Sequence, residues 1–287
     1  MKRGKENKKE EKIDIPLIVK WAGGKKQLIE QFKPLFPKKI ERYIEPFLGS
    51  GAVAFYVIQK YNPSEVLLSD SNEELINVFN TIKHDYQNLI KKLKEHKNKY
   101  QKNKNEYYYR IRKQNPERLS SLNKAARFIF LNRTCFNGLY RVNSKGRFNV
   151  PIGDHKNPDI VQEEKMKNAA ELLKDVNIRV MSFENVIDFA KKGDFAYFDP
   201  PYDPLKKGKS FTTYTKDNFL EKDQKKLAEV FDELTRKGCL CMGSNNDTEL
   251  IREIYSKHNI EIVKAKRMIN SDASKRGAIN EVVILNY

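Results

Sequence analysis

Short apolar, β-branched runs recur along this chain, with segments of helical period between them. The runs are Arg42-Tyr43-Ile44, Val66-Leu67-Leu68, Ile178-Arg179-Val180-Met181, Phe195-Ala196-Tyr197-Phe198, Cys239-Leu240-Cys241-Met242, 260–263 and Val282-Val283-Ile284-Leu285. Segment 224–235 sets Leu227, Val230, Phe231 and Leu234 on one helical face. Such alternation predicts an α/β fold, a mostly parallel Rossmann-like sheet with helices on both sides. One interval breaks the rhythm, because the stretch between the second and third runs is too long for a single crossover. It reads as a helical lobe inserted at 81–170. Segments 15–80 and 171–287 are left for the sheet domain, with 1–14 as a disordered basic tail.

Composition adds a partner to this picture. The chain has 287 residues, 39% apolar and 32% charged, enough for one large domain with an insertion. Its 55 Lys and Arg exceed 38 Asp and Glu by 17, a balance that suits either a polyanion partner or a heavily solvated surface. The excess is uneven: 83–118 holds 12 basic and 4 acidic residues, which favours the polyanion. Cys135, Cys239 and Cys241 make no disulfide framework. No apolar stretch approaches 18 residues and no signal peptide is apparent, so a cytoplasmic chain without a membrane partner is expected.

Two motifs carry chemistry. Glu45-Pro46-Phe47-Leu48-Gly49-Ser50-Gly51 follows the first strand and opens a helix over 52–59. Gly49 and Gly51 let the backbone turn tightly and approach a nucleoside, and Asp70, 19 residues after Gly51, stands where a carboxylate accepts ribose hydroxyls. This pattern fits NAD, FAD or S-adenosylmethionine, or a plain structural turn. In the second motif, Phe195-Ala196-Tyr197-Phe198 runs into Asp199-Pro200-Pro201-Tyr202. The prolines remove two N–H donors, so no local amide competes for the carboxylate. The Asp199 side chain and the Pro200 carbonyl can then accept from one NH₂ group, while Tyr202 offers a ring for stacking.

With these residues the chain resembles the Dam-type, D12-class (α group) DNA adenine-N6 methyltransferases over about 16–287. Further matching pieces are Lys20-Trp21-Ala22-Gly23-Gly24-Lys25, Leu131-Asn132-Arg133-Thr134-Cys135-Phe136-Asn137-Gly138-Leu139-Tyr140-Arg141, Gly146-Arg147-Phe148-Asn149-Val150-Pro151-Ile152-Gly153, Ser244-Asn245-Asn246-Asp247-Thr248 and Asn280-Glu281-Val282-Val283. The resemblance implies that Trp21, Lys25, Phe47, Gly49, Gly51, Asp70, Phe183 and Asp199 hold S-adenosyl-L-methionine. It also implies that Asp199, Pro200 and Tyr202 serve transfer to adenine N6. DNA contacts are expected from Lys20, Phe136, Asn137, Arg141 and Asn149, around a hairpin near 137–150. Taken alone, Lys25 suits the methionine carboxylate or solvent, and Trp21 suits the core. Phe136 is a wedge into the base stack or a buried aromatic, and Arg127 and Arg133 are structural or phosphate contacts.

Arg141 is the first choice for a guanine reader. GATC is the expected target on the resemblance alone, and the adenine must be flipped from the duplex. The partners expected are double-stranded DNA and a candidate cognate restriction endonuclease, with the enzyme a monomer. No ligand set has metal spacing. Asp199→Ala or Tyr202→Ala is expected to abolish transfer and leave the fold little changed. Competing readings are a cytosine-N4 or RNA-adenine methyltransferase, a non-catalytic nucleic-acid binder, and an NAD-dependent oxidoreductase, for which Asp199-Pro200-Pro201-Tyr202 has no use.

Overall fold

A computed structural model of the protein describes residues 13–205, 219–266 and 278–287. Most of the tail expected over 1–14 lies outside the described residues. The strands are β1 (Arg42–Glu45), β2 (Glu65–Asp70), β3 (Asn177–Val180), β4 (Phe195–Phe198), β5 (Leu240–Asn246), β6 (Asn259–Lys266) and β7 (Ala278–Leu285). They form one sheet in the order β3-β2-β1-β4-β5-β7-β6. Pairs through β5 are parallel, and β7 runs antiparallel to both its neighbours. All four residues of β4 are buried, as a continuous apolar run at the centre of a sheet covered on both faces requires. The strand order reverses between β1 and β4, and in an open α/β sheet ligands bind beyond the carboxyl ends at that point.

The helices are α1 (Ile29–Phe32), α2 (Ala52–Tyr61), α3 (Glu73–Lys102), α4 (Lys104–Lys113), α5 (Ser121–Thr134), α6 (Glu163–Leu172), α7 (Val186–Phe189), α8 (Glu221–Arg236) and α9 (Glu249–Ile254). Gly51 at φ 74° starts α2 in a conformation that costs glycine least. Asn72 caps α3 by accepting from the Leu75 amide at 3.0 Å. Buried Leu227, Val230, Phe231 and Leu234 lie along α8, on the expected face.

The expected boundary at 80/81 falls inside α3, which leaves β2 and continues into the inserted segment with a break in helical geometry at Asp85. One apolar cluster runs from Leu68 and Phe55 through Phe79 to Phe128 and Phe130. The insertion therefore shares its core with the sheet domain. Within it, Asn149 N donates to Arg141 O at 3.1 Å and Asn143 N to Arg147 O at 2.9 Å, closing a short hairpin inside the expected 137–150.

Candidate functional site

The turn after β1 and the end of β2 form one wall. Leu48 N donates to Ser69 O at 3.0 Å, which ties the turn to β2. Gly49 N donates to Asp70 Oδ2 at 3.2 Å and Asn72 N to Asp70 Oδ1 at 2.9 Å. Loss of water around the carboxyl raises its pKa to about 6 although these amides oppose the shift. Gly49 sits at φ 48°, and a Cβ there would lie 2.9 Å from Trp21 Cδ1. Trp21 thus closes over the turn, and it also stacks on Tyr140 with centroids 5.6 Å apart.

The carboxyl end of β4 forms the opposite wall. Asp199 Oδ1 lies 2.8 Å from Lys25 Nζ and accepts from Ser244 Oγ at 2.9 Å. Ser244 is itself 3.0 Å from the Tyr197 hydroxyl. Sequence reading expected no local amide at this carboxylate; its partners among the described residues are an ammonium and a hydroxyl from distant segments, both on Oδ1. Lys25 is only 4% exposed, so it is not a solvated lysine. It also donates to Gly23 O and sits 4.5 Å above the Tyr202 ring centroid. The Tyr202 hydroxyl donates to Glu281 Oε2 at 2.8 Å. The following loop is anchored by Gln224 Nε2 to Pro201 O at 2.9 Å and Asp203 N to Asn245 Oδ1 at 2.9 Å.

Between the walls lies a cavity of about 430 Å³, within the size range of small-molecule sites. Trp21, Lys25, Phe47, Gly49, Asp70, Phe183, Asp199, Pro200 and Tyr202 all line it. Gly51, expected with them, instead faces inward against Phe55 and Phe79 and shapes the turn from behind. Phe47 stacks on Phe183 at 5.4 Å, and Phe219 meets both, giving the cavity an aromatic end. Glu45 also lines it. Burial drives the Glu45 carboxyl well above its ordinary range against the hydrogen bond from Tyr43, with Asp199 and Asp70 adding to the rise. Four carboxyl groups (Glu45, Asp70, Asp199 and Asp223), the Lys25 ammonium and an aromatic end suit a ligand that is part aromatic and part charged.

The expected DNA residues gather on one side. Lys20 is clamped by Asn132, whose Oδ1 accepts from Lys20 N at 2.7 Å and whose Nδ2 donates to Lys20 O at 2.8 Å and Gly138 O at 3.0 Å. The Lys20 side chain lies over Gly138, next to Asn137. Phe136 is 51% exposed, which removes the buried-aromatic alternative, and Asn137 holds a left-handed φ of 53°. Arg141 Nε donates to Asn149 Oδ1 at 2.7 Å. Arg127 is structural: it reaches Glu74 at 3.3 Å and the Ile111 and Arg112 carbonyls. Arg133 bonds Ile18 O, Leu17 O and Gln162.

Several basic residues of 83–118 are engaged with protein, among them Lys83 on Val176 O and Lys94 on Glu163. Sequence reading passed over Phe219 and Gln224 as site residues, gave Glu45 only as the start of the first motif, and quoted Asn132 only within a matching piece. It set Ser244 at a strand end facing the same crevice and quoted Glu281 only within a matching piece; their adjacency to Asp199 and Tyr202 is a product of strand order. Among the described residues no group of His, Cys, Asp and Glu suits a metal ion, and no helix is long and apolar enough to cross a membrane.

The family described as D12 class N6 adenine-specific DNA methyltransferase matches residues 21–269. The type II methyltransferase M.MjaIII of Methanocaldococcus jannaschii is 42% identical over 96% of this chain and 100% of its own. M1.LlaDCHI, a type II methyltransferase of Lactococcus lactis, is 39% identical over 96% of this chain and 97% of its own. A DNA adenine methylase of Haemophilus influenzae is 33% identical over 99% and 98%.

Proposed function

The chain belongs to the D12 class N6 adenine-specific DNA methyltransferases, and from that premise we propose that Asp199, Pro200 and Tyr202 carry the transfer, on a flipped adenine of duplex DNA. As a member of this family it is an adenine-specific DNA methyltransferase, and the family implies S-adenosylmethionine as methyl donor. The residues present fit that donor. Phe47 and Phe183 suit the adenine ring, Asp70 the ribose hydroxyls, and the Lys25 and Asp199 charges the carboxylate and cationic groups of the methionine end. When bound, S-adenosylmethionine supplies a methyl group on a sulfonium, an electrophile that needs no metal.

The observation that carries the reading is the opening of Gly49, Asp70 and Asp199 onto one cavity at the reversal of strand order. An adenine amino group is a poor nucleophile because its lone pair is delocalised into the ring. The Asp199 carboxylate and the Pro200 carbonyl accept its two hydrogens, which favours a tetrahedral nitrogen with its lone pair aimed at the methyl group. Acceptors fixed in advance lower the barrier where charge develops. Tyr202 stacks the base that leaves the duplex. Lys25, already in the cavity, meets the methionine carboxylate.

Target reading falls to the hairpin. Exposed Phe136 wedges into the gap left by the flipped base, Lys20 and Asn137 flank it, and Arg141, steadied by Asn149, pairs with a guanine. GATC is the proposed site. The two relatives named type II methyltransferases support a modification role beside a restriction endonuclease. The test is incubation with tritiated S-adenosylmethionine and unmethylated DNA, then digestion with nucleases that differ in sensitivity to GATC methylation. Label in N6-methyladenine together with GATC protection is expected. Labelled adenine without that protection refutes GATC, and label confined to cytosine refutes the adenine site.

A further inference from the structure

Glu281 stands on β7, opposite Asn246 of β5 in the antiparallel register. Its Oε2 accepts from the Tyr202 hydroxyl at 2.8 Å. The Tyr202 phenol is held well above its ordinary pKa by lost hydration, with the negative charges of Asp199 and Glu281 adding to the rise, so it remains a donor throughout the working range. The backbone on either side is anchored by Gln224 and Asn245. The ring is therefore fixed at its root by the chain and at its tip by a carboxylate. A phenol donating to an anion has more electron density than one donating to water, and its face is correspondingly more negative. That face accepts a cation here, because Lys25 Nζ lies 4.5 Å from the centroid.

In the proposed reaction the amino nitrogen's lone pair forms the new N–C bond. The C–S bond breaks with its electron pair going to sulfur. The nitrogen gains positive charge until its extra proton passes to solvent. We propose that Glu281 is a positioning residue of the transfer: through its bond to the Tyr202 hydroxyl it fixes the plane on which the target adenine stacks, on the face turned from Lys25, and increases the attraction of the ring for the positive charge growing on N6. This rests on the reading of Tyr202 as the stacking residue.

The test measures single-turnover methyl transfer to DNA with adenine at the target and, in parallel, the fluorescence of DNA with 2-aminopurine at that position, which lacks the 6-amino group and reports base stacking alone, for Tyr202→Ala, Tyr202→Phe, Glu281→Ala, Glu281→Gln and the Tyr202→Phe/Glu281→Ala double variant. Tyr202→Ala should abolish transfer. Tyr202→Phe and Glu281→Ala should each slow it about tenfold, the size of a partly desolvated cation–π effect. The double variant should be no slower than either single one, because both remove the same bond. Glu281→Gln keeps an acceptor without the charge. It should retain the 2-aminopurine signal and melting temperature of the unsubstituted enzyme while transferring several-fold more slowly. Unchanged transfer by Glu281→Gln, or losses that multiply in the double variant, overturns the proposal while Tyr202→Ala remains inactive. Normal turnover by Tyr202→Ala instead overturns the stacking role itself.

Discussion

Removing the Asp199 carboxylate should unsettle the fold as well as stop the reaction. Its partner Lys25 is 4% exposed and Asp199 is 20% exposed, with 2.8 Å between the charged atoms. Truncating one partner of a buried pair leaves the other charge uncompensated, at a cost of about 3–5 kcal/mol. Two things reduce the figure here. Asp199 is partly hydrated, and Lys25 keeps the Gly23 carbonyl and the Tyr202 ring, the latter interaction amounting to about 0.5–2 kcal/mol. A loss of about 2 kcal/mol remains for Asp199→Ala, which for a chain of this size lowers the melting temperature by roughly 5 °C. Lys25→Met removes the stranded ammonium and fills its space with an apolar chain of similar length. The Asp199→Ala/Lys25→Met variant should therefore regain most of the lost stability and still transfer no methyl groups. Urea unfolding and thermal melts beside the tritium assay measure both quantities. An Asp199→Ala protein as stable as the unsubstituted one, or a double variant no more stable than Asp199→Ala, refutes the argument that the pair is a stabilising contact.

Other expectations concern pH, packing and target choice. Asp70 has a folded pKa of about 6, raised above its unfolded value, so its stabilising contribution is complete below about pH 4 and disappears as pH rises through 6. The difference between the two limits is on the order of 2–3 kcal/mol. Asp70→Asn should raise the melting temperature at pH 8 and not at pH 4, and in the unsubstituted enzyme the KM for S-adenosylmethionine should climb below pH 6 as the ribose acceptor is protonated. His96 moves the other way. Burial lowers it to about 4, so the neutral ring's contribution is lost as pH falls from 6.5 to 4, by up to about 3 kcal/mol, and acid denaturation of His96→Gln should lack that slope. Gly49→Ala adds left-handed strain of about 1–2 kcal/mol and pushes Trp21, which should raise the cofactor KM more than it lowers kcat. Arg141→Ala should relax discrimination at one guanine by about 1–3 kcal/mol, read as methylation rates across single-base variants of the site.

The sheet was legible because its strands are buried on both faces and so read as continuous apolar runs. Phe195-Ala196-Tyr197-Phe198 matches β4 residue for residue. Ends were less legible. β5 continues through Ser244, Asn245 and Asn246, polar residues that look like a loop until Tyr197, Gln224 and Asp203 are seen to satisfy them. The lobe boundary is hard to read for a related reason. α3 carries buried residues on both sides of its break at Asp85, Leu75 to Ile82 before it and Leu89 to Tyr100 after it, and it packs on β2 as well as on the inserted helices, so the chain passes from sheet domain to lobe without leaving a helix.

The same logic explains which parts of the site could be read. Gly49, Asp70 and Asp199 each sit at the end of a strand whose period is visible, so their convergence follows from the fold class. The pairing of Lys25 with Asp199 depends on how the segment before β1 crosses the sheet edge, which periodicity does not encode. Ser244 and Glu281 reach Asp199 and Tyr202 only because β5 lies beside β4 and β7 beside β5. The antiparallel insertion of β7 brings a carboxylate from the last residues of the chain to the phenol of Tyr202. In a sheet with β7 on the far side of β6, Glu281 would stand one strand further out, beyond a 2.8 Å bond to that hydroxyl. The strand order that marks the methyl-transfer fold thus also supplies the support of the proposed stacking ring.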